Sequence, residues 1–299
     1  MTLREQLEQH VNSYTEPSCI ERSELILRAS FVVPVYNSDT SIGACVESIA
    51  KQEHSNLINE VILVDDGSTD SSAQVMKELK QKYADILNIR LIHNKVRHYV
   101  AYARNRGFEI GTGDLVFFID SDIVLPSNYL VTHTWIHQQN TTCITFSLRS
   151  DVNCEMLADI AFPITETDEF RSNILSSYNN LQTASFQFDA KYSLADMCLT
   201  CAVTYRRSDL QFVKGCPENF KGWGFNDTAM ASKVIARGRS VIPALDCTVY
   251  HISHAPRSGN IKNKQAEYLA NKQRYANLLQ MPLEETLAYS IDSLDFVRI

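Results

Sequence analysis

The 299-residue chain is poor in residues that break or loosen a backbone, with only ten glycines and eight prolines. That scarcity excludes collagen-like and low-complexity architectures, and no Pro/Ser-rich tract marks a flexible domain boundary. No apolar run approaches the roughly 18 to 20 residues needed to span a bilayer. The opening MTLREQLEQHVNSY is polar and helical in pattern, without the apolar centre of a signal peptide, so the expected location is the cytoplasm. A concentrated basic face is also missing. At a formal net charge of −7 and a pI near 5.6, no nucleic-acid partner is expected, and an anionic substrate would need a cation to help hold it. Internal repeats are absent as well. Eight cysteines (Cys19, Cys45, Cys143, Cys154, Cys198, Cys201, Cys216 and Cys247) are scattered among aliphatic neighbours. Of these, Cys198 and Cys201 make a C-x-x-C with no second pair at zinc-site spacing. CLTCAVTYRR reads as one strand, so both are expected as buried thiols on its opposite faces.

What is present is a large apolar fraction, 44%, enough for a substantial core. From residue 31 to 125, short aliphatic runs alternate with helical periodicity. FVVPV (31–35), VILV (61–64), IRLI (89–92) and LVFFI (115–119) read as strands covered on both faces. Helices are expected at 41–52, where Ile42, Cys45, Val46 and Ile49 share a face, and at 71–83 and 101–111. The order β-α-β-α-β-α-β predicts a parallel sheet with right-handed crossovers. Further on, the pattern predicts a helix at 128–139, a strand at 143–148 and long loops over 150–195. A helix at 228–237 closed by Gly238, the strands SVIPAL and TVYHI, and a polar helix from about 262 to 280 complete it.

Ligands of such sheets sit beyond the carboxyl ends of the strands. There the chain places Tyr36-Asn37, Asp65-Asp66-Gly67-Ser68 and Asp120-Ser121-Asp122. Two carboxylates one residue apart after FFI repel each other unless a hard divalent cation such as Mg²⁺ or Mn²⁺ lies against them. A lone D-x-D is commonly a solvated turn, but its position at a buried strand end, beside a second acidic cluster, favours the metal reading. Ser68 to Asp70 suit the cap of the following helix; Asp65 and Asp66 are not needed for it.

FVVPVYNSDTSIGACVESIAKQ, EVILVDDGSTD, AYARNRGFEIGTGDLVFFIDSD and GWGFND together resemble the family 2 glycosyltransferases of GT-A fold, and the last motif is similar to the branch holding chondroitin polymerases and β-1,4-galactosyltransferases. The resemblance covers about residues 30 to 255. It implies an α/β fold in which a Rossmann-like nucleotide-binding half (30–126) with a mostly parallel sheet is fused to a smaller acceptor and metal half (127–255), flanked by an N-terminal helical extension (1–29) and a C-terminal helical tail (256–299). It also implies a UDP-sugar donor. Pro34, Tyr36 and Asp66 would hold the base and ribose, and Arg104 would lie near the diphosphate. Asp120, Ser121 and Asp122 would meet ribose and metal, with Asp122 the direct ligand and Asp120 its companion. His251 would complete the metal site, with His254 a weaker candidate. On a strand the two histidines point to opposite faces. The mixed oxygen and nitrogen shell favours Mn²⁺ and permits Mg²⁺.

Inverting transfer to a hydroxyl needs a base, and the family pattern W-G-x-E-D places it at Asp227. Trp223 and Gly224 would shape a loop over the donor, and Asn226, where the family has Glu, would face the acceptor. The plain alternative is that Asn226 and Asp227 cap the 228–237 helix. Tyr99 is a second departure, standing where the family often has Gly, and Thr200 to Tyr205 replace its G-G-N-x-A-F strand. The expected activity is transfer of a hexose or N-acetylhexosamine to a glycan, peptide or small-molecule acceptor. A non-catalytic sugar-nucleotide binder and a nucleotidyltransferase of related fold are the alternatives, the latter disfavoured because PVYNSDTS lacks a Gly-rich phosphate loop. A polar C-terminal helix can still touch a membrane surface.

Overall fold

The computed structural model of the chain describes residues 25–152, 195, 197–252 and 261–279. Strands β1 (Ala29–Val35), β2 (Ile58–Asp65), β3 (Ile89–His93) and β4 (Leu115–Ile119) alternate with helices α1 (Ile42–Ala50), α2 (Ser72–Lys82) and α3 (Val100–Ile110), within three residues of the expected ends. β5 (Ile123–Val124), α4 (Tyr129–Gln139), β6 (Cys143–Val152), β7 (Ala202–Arg206), α5 (Arg207–Val213), α6 (Asn226–Ile235), β8 (Ser240–Ile252) and α7 (Ile261–Leu279) follow. All strands join one sheet in the order β3-β2-β1-β4-β7-β6-β8-β5. β1 to β4 are parallel. β7 runs antiparallel to β4 and to β6, β8 parallel to β6, and β5 antiparallel to β8.

Alternate strand residues face opposite ways, so the sheet has two cores. Phe31, Val33, Leu63 and Phe117 lie on one face beneath Ile42 of α1, Met76 of α2 and Tyr129 of α4. Val32, Ile62, Val116 and Phe118 lie on the other beneath Phe108 of α3, Leu210 of α5 and Met230 of α6. Burial on both sides is why these strands read as unbroken aliphatic runs.

The connection from β4 to β5 bends the sheet. Ile119 and Ile123 are four residues apart, a reach of at most about 14 Å. Yet β7, β6 and β8 lie between the two strands, and a flat sheet would put them about 19 Å apart. The sheet therefore curls, helped by an irregularity in the β6–β8 register between Ser147 and Arg149. Curling carries the start of β5 against the end of β8, where Ile123 pairs with His251.

Four expectations change. CLTCAVTYRR is a strand only over Ala202–Arg206, because Leu199 to Ala202 close a turn and Arg207 opens α5. The two cysteines nevertheless bury on opposite faces of the sheet. SVIPAL and TVYHI are one strand, since Pro243 pairs with Phe146 on a stretch of β8 that has no β5 neighbour. The 228–237 helix begins two residues earlier, at Asn226. The loop reading of 150–195 also yields at its ends, since β6 runs on to Val152 and Ala195 is helical. Cys19, Cys154, His254, residues 153–194 and most of the N-terminal extension lie outside the described residues.

Candidate active site

The D-x-D turn leaves β4 with its backbone tied on both sides: Asp120 N–H donates to Cys201 O at 3.3 Å and Ile123 N–H to Asp120 O at 3.1 Å. Asp122, 6% exposed, accepts the Ile252 N–H on its carbonyl at 2.9 Å. That register sets Asp122 Oδ2 3.7 Å from His251 Nε2. The other imidazole nitrogen, Nδ1, meets Asp151 Oδ1 at 2.7 Å, directly across the β6–β8 ladder. Burial would push His251 down, but Asp122 and Asp151 outweigh it and raise it to about 9. The bond from His251 holds Asp151 below the usual carboxylate range against its burial. Among the described residues, no group of three or more His, Cys, Asp or Glu side chains converges as a complete metal cage.

Arg104, expected at the diphosphate, is 2% exposed and serves both halves of the site. Its Nη2 donates to Asp120 Oδ1 at 2.9 Å, and its Nη1 to Asn226 Oδ1 at 2.9 Å and Asp227 Oδ1 at 3.0 Å. Burial opposes its charge, but Asp227 and Asp120 more than offset that and raise its pKa. Asp120 is itself held above its ordinary value by burial and by Asp122 and Asp227, in spite of Arg104. It keeps 35% of its side chain exposed, so water screens part of that shift. The capping role of Asn226 and Asp227 does not form: no side chain caps α6, whose N-cap is Phe225 at φ 60. Both side chains turn to Arg104 instead. Asp120, expected as the metal companion, likewise faces Arg104, while Asp122 and His251 meet.

Beyond the carboxyl end of β1, the Arg97 guanidinium lies 4.0 Å over the Tyr36 ring and 5.0 Å over that of Tyr99. Pro34 sits in β1 opposite Val64. Asp66 accepts the His98 N–H at 2.9 Å, the Tyr99 N–H at 2.7 Å and the Asn94 amide at 3.0 Å, so it fastens the loop entering α3. Tyr99 is held at φ 75 and ψ 164, a region that suits glycine. Ser121 shares a 2.7 Å hydroxyl bond with Ser38.

Trp223 is 40% exposed, its ring 5.6 Å from that of Tyr268 in α7. Gly222 and Gly224 have φ of 79 and 92, and a Cβ on Gly222 would lie 2.4 Å from the Glu267 carboxyl carbon. Sequence reasoning missed Asp151, Arg97 and the α7 face made by Glu267, Tyr268, Asn271 and Tyr275. For α7 a signal existed: the spacing i, i+1, i+4, i+8 is one helical stripe.

Comparison with known proteins agrees with this fold. Residues 30–210 match glycosyl transferase family 2, and residues 179–255 match the N-terminal domain of galactosyltransferase. The chain belongs to glycosyl transferase family 2, and its architecture is that of the GT-A enzymes. Glycosyltransferase GlyG of Streptococcus pneumoniae is 36% identical over 110 residues, 37% of this chain and 34% of GlyG, so the chain spans about a third of that relative. S. aureus TarS 1-349, solved with UDP-GlcNAc, superposes with a TM-score of 0.59 at 20% identity, over 84% of this chain and 66% of that one. Mannosyltransferase PcManGT from Pyrobaculum calidifontis, solved with GDP-Man and Mn²⁺, does so at 0.57 and 20%, over 85% and 62%. Among the described residues no helix is long and apolar enough to cross a membrane.

Proposed function

We propose that this glycosyltransferase is metal-dependent and inverting, and that it moves a hexose or N-acetylhexosamine from a UDP-sugar to an acceptor hydroxyl with Asp227 as the base. The observation that carries the reading is Arg104, whose guanidinium ties Asp120 of the D-x-D to Asp227, 2.9 and 3.0 Å away. Asp227 thus stands at the D-x-D although it lies 107 positions further along the chain than Asp120, and 23% of its side chain remains exposed to meet an acceptor. Its Oδ1 is engaged by Arg104; among the described residues Oδ2 has only a long 3.4 Å contact from the Thr200 N–H, so Oδ2 is the oxygen that takes the proton. The acceptor oxygen attacks the anomeric carbon on the face opposite the diphosphate, its proton passes to Oδ2, and the bond to the diphosphate breaks with its electron pair on the leaving UDP. Pro34, Tyr36 and Asp66 hold base and ribose, Ser121 and Asp120 support the ribose end, and Trp223, Gly224 and Asn226 face sugar and acceptor.

Asp122 and His251 fit a divalent cation: one carboxylate oxygen and one imidazole nitrogen 3.7 Å apart, the imidazole oriented by Asp151. Asp122 and His251 would hold Mn²⁺ or Mg²⁺, which would supply positive charge to offset that of the departing diphosphate. The donor class rests on TarS and PcManGT, which were solved with sugar nucleotides. UDP release from a panel of UDP-sugars with Mn²⁺, comparing the parent chain with Asp227→Asn, tests the reading. Loss of the base lowers kcat by about 10²–10⁴-fold. Undiminished turnover removes Asp227 from that role, and tight UDP binding without turnover on any acceptor favours a non-catalytic binder.

A further inference from the structure

We infer that α7 belongs to the transferase site, and that Asn271 is the residue through which it positions the Trp223 loop and Asp227. The inference rests on Asp227 being the base. Asn271 is completely buried, and its amide nitrogen donates to three backbone carbonyls of one loop: Lys221 at 3.0 Å, Trp223 at 3.1 Å and Gly224 at 2.9 Å. An amide has two N–H groups, so one is shared between two carbonyls. The orientation is set by the other end, where Arg274 Nη1 donates to Asn271 Oδ1 at 2.8 Å. Neither an isosteric acid nor an apolar residue can take its place. Aspartate would turn an acceptor toward three acceptors, and leucine would leave three carbonyls without this donor.

The rest of the α7 stripe acts on the same segment. Glu267 Oε2 accepts the Trp223 N–H at 3.0 Å. Tyr268 and Tyr275 pack on Phe225 at 5.1 and 5.3 Å. Tyr275 also shares a 2.6 Å hydroxyl bond with Ser232 of α6, the helix that carries Asp227 in its first turn. Loop and helix start are therefore set against α7 as a unit, and two residues past the last clamped carbonyl comes Asn226, then Asp227. An error of an ångström in a catalytic group can cost on the order of 10²-fold in rate.

The test is Asn271→Asp in the full chain, with Asn271→Ala as a second variant that removes the donors without adding charge, both in a Trp135→Phe background so that Trp223 is the sole indole. Three readouts are taken: steady-state kcat with a UDP-sugar that the parent turns over, UDP affinity by calorimetry with Mn²⁺, and acrylamide quenching of Trp223. Expected are a kcat lower by tenfold or more, a UDP Kd within about twofold because the nucleotide lies on the other half, and at least a doubling of the quenching constant. A folded variant with parental kcat and parental quenching overturns the inference. So does parallel loss of UDP affinity and kcat with quenching unchanged, which marks general destabilisation. Asp227→Asn, run alongside, separates the two levels: full activity there sinks the base assignment and this inference with it, whereas an inactive Asp227→Asn beside an active Asn271→Asp sinks the inference alone.

Discussion

The two ends of the sheet obey different rules. From β3 to β4 every strand is parallel, each follows its helix in short order, and both faces are sealed by aliphatic side chains. From β7 to β5 the strands mix directions, neighbours come from distant parts of the chain, and polar pairs such as Asp151 with His251 stand directly across the ladder. The first region is held by area removed from water, which tolerates small errors of position. The second has apolar cores of its own, with Phe146, Val203 and Ile252 buried, and adds specific polar contacts around the site, which do not. Arg104 is the seam between them, rooted in α3 and bonded to Asp120 on one side and to Asn226 and Asp227 on the other.

The largest effect expected from breaking this contrast is on the parallel side. Phe117 is fully buried and stacks on Phe31 at 4.7 Å, so Phe117→Ala should cost about 3–5 kcal/mol in a urea melt with an unchanged slope. Cutting the seam comes next. Arg104→Met leaves Asp120 and Asp227 without their cation; because both keep some exposure, 35% and 23%, the cost falls at the low end for a broken buried pair, about 3 kcal/mol. If the seam joins two regions of unequal strength, that variant loses turnover before it unfolds. A single sharp melt with activity retained up to the midpoint would mean the two regions do not part there. Smaller, and of opposite sign, is Tyr99→Gly. Relief of the φ 75 backbone gains about 1–3 kcal/mol, offset by glycine's chain entropy and the lost Arg97 contact, for a net stabilisation of about 1 kcal/mol in the same melt.

What could be read from the sequence follows the same division. β1 to β4 and their helices repeat short, local signals: an aliphatic run, a polar turn, a 3.6-residue period. The acidic turn after Ile119 stood out because carboxylates are costly beside a buried strand. Nothing local could disclose that Asp151 would face His251, since the two meet through strand register across 100 residues. The nearness of Asp122 to His251 was an expectation taken from family resemblance alone, and its physical origin, the curl that joins β5 to β8, is a property of the whole sheet. Arg104 was legible as a cation near the site; that two carboxylates and an amide share it depends on how α3 meets α6. Asn271 was hidden by its setting, a polar helix whose buried stripe is half hydrogen-bonding groups, so an apolar count sees only a solvated tail.

The smallest effect should appear at the opposite edge of the sheet, far from the strand carboxyl ends, and it provides a control. Glu60, 3% exposed at the start of β2, accepts bonds from the Ser30 hydroxyl and from the Thr112 N–H and hydroxyl, the last two at 2.8 Å. Burial pushes it up, yet those bonds and the charge of Arg90 prevail and leave it below its ordinary 4.5. A depressed folded value means that the unfolded chain takes up the proton first. The stabilisation is therefore complete above that ordinary value and is lost as pH falls through the folded one. Melts of the parent and Glu60→Gln should differ most near neutral pH and converge as the pH drops below 4.5, with UDP affinity at pH 7 the same in both. A gap that does not narrow in acid would show that Glu60 contributes by shape, and a change in UDP affinity would show that the two edges of the sheet are coupled.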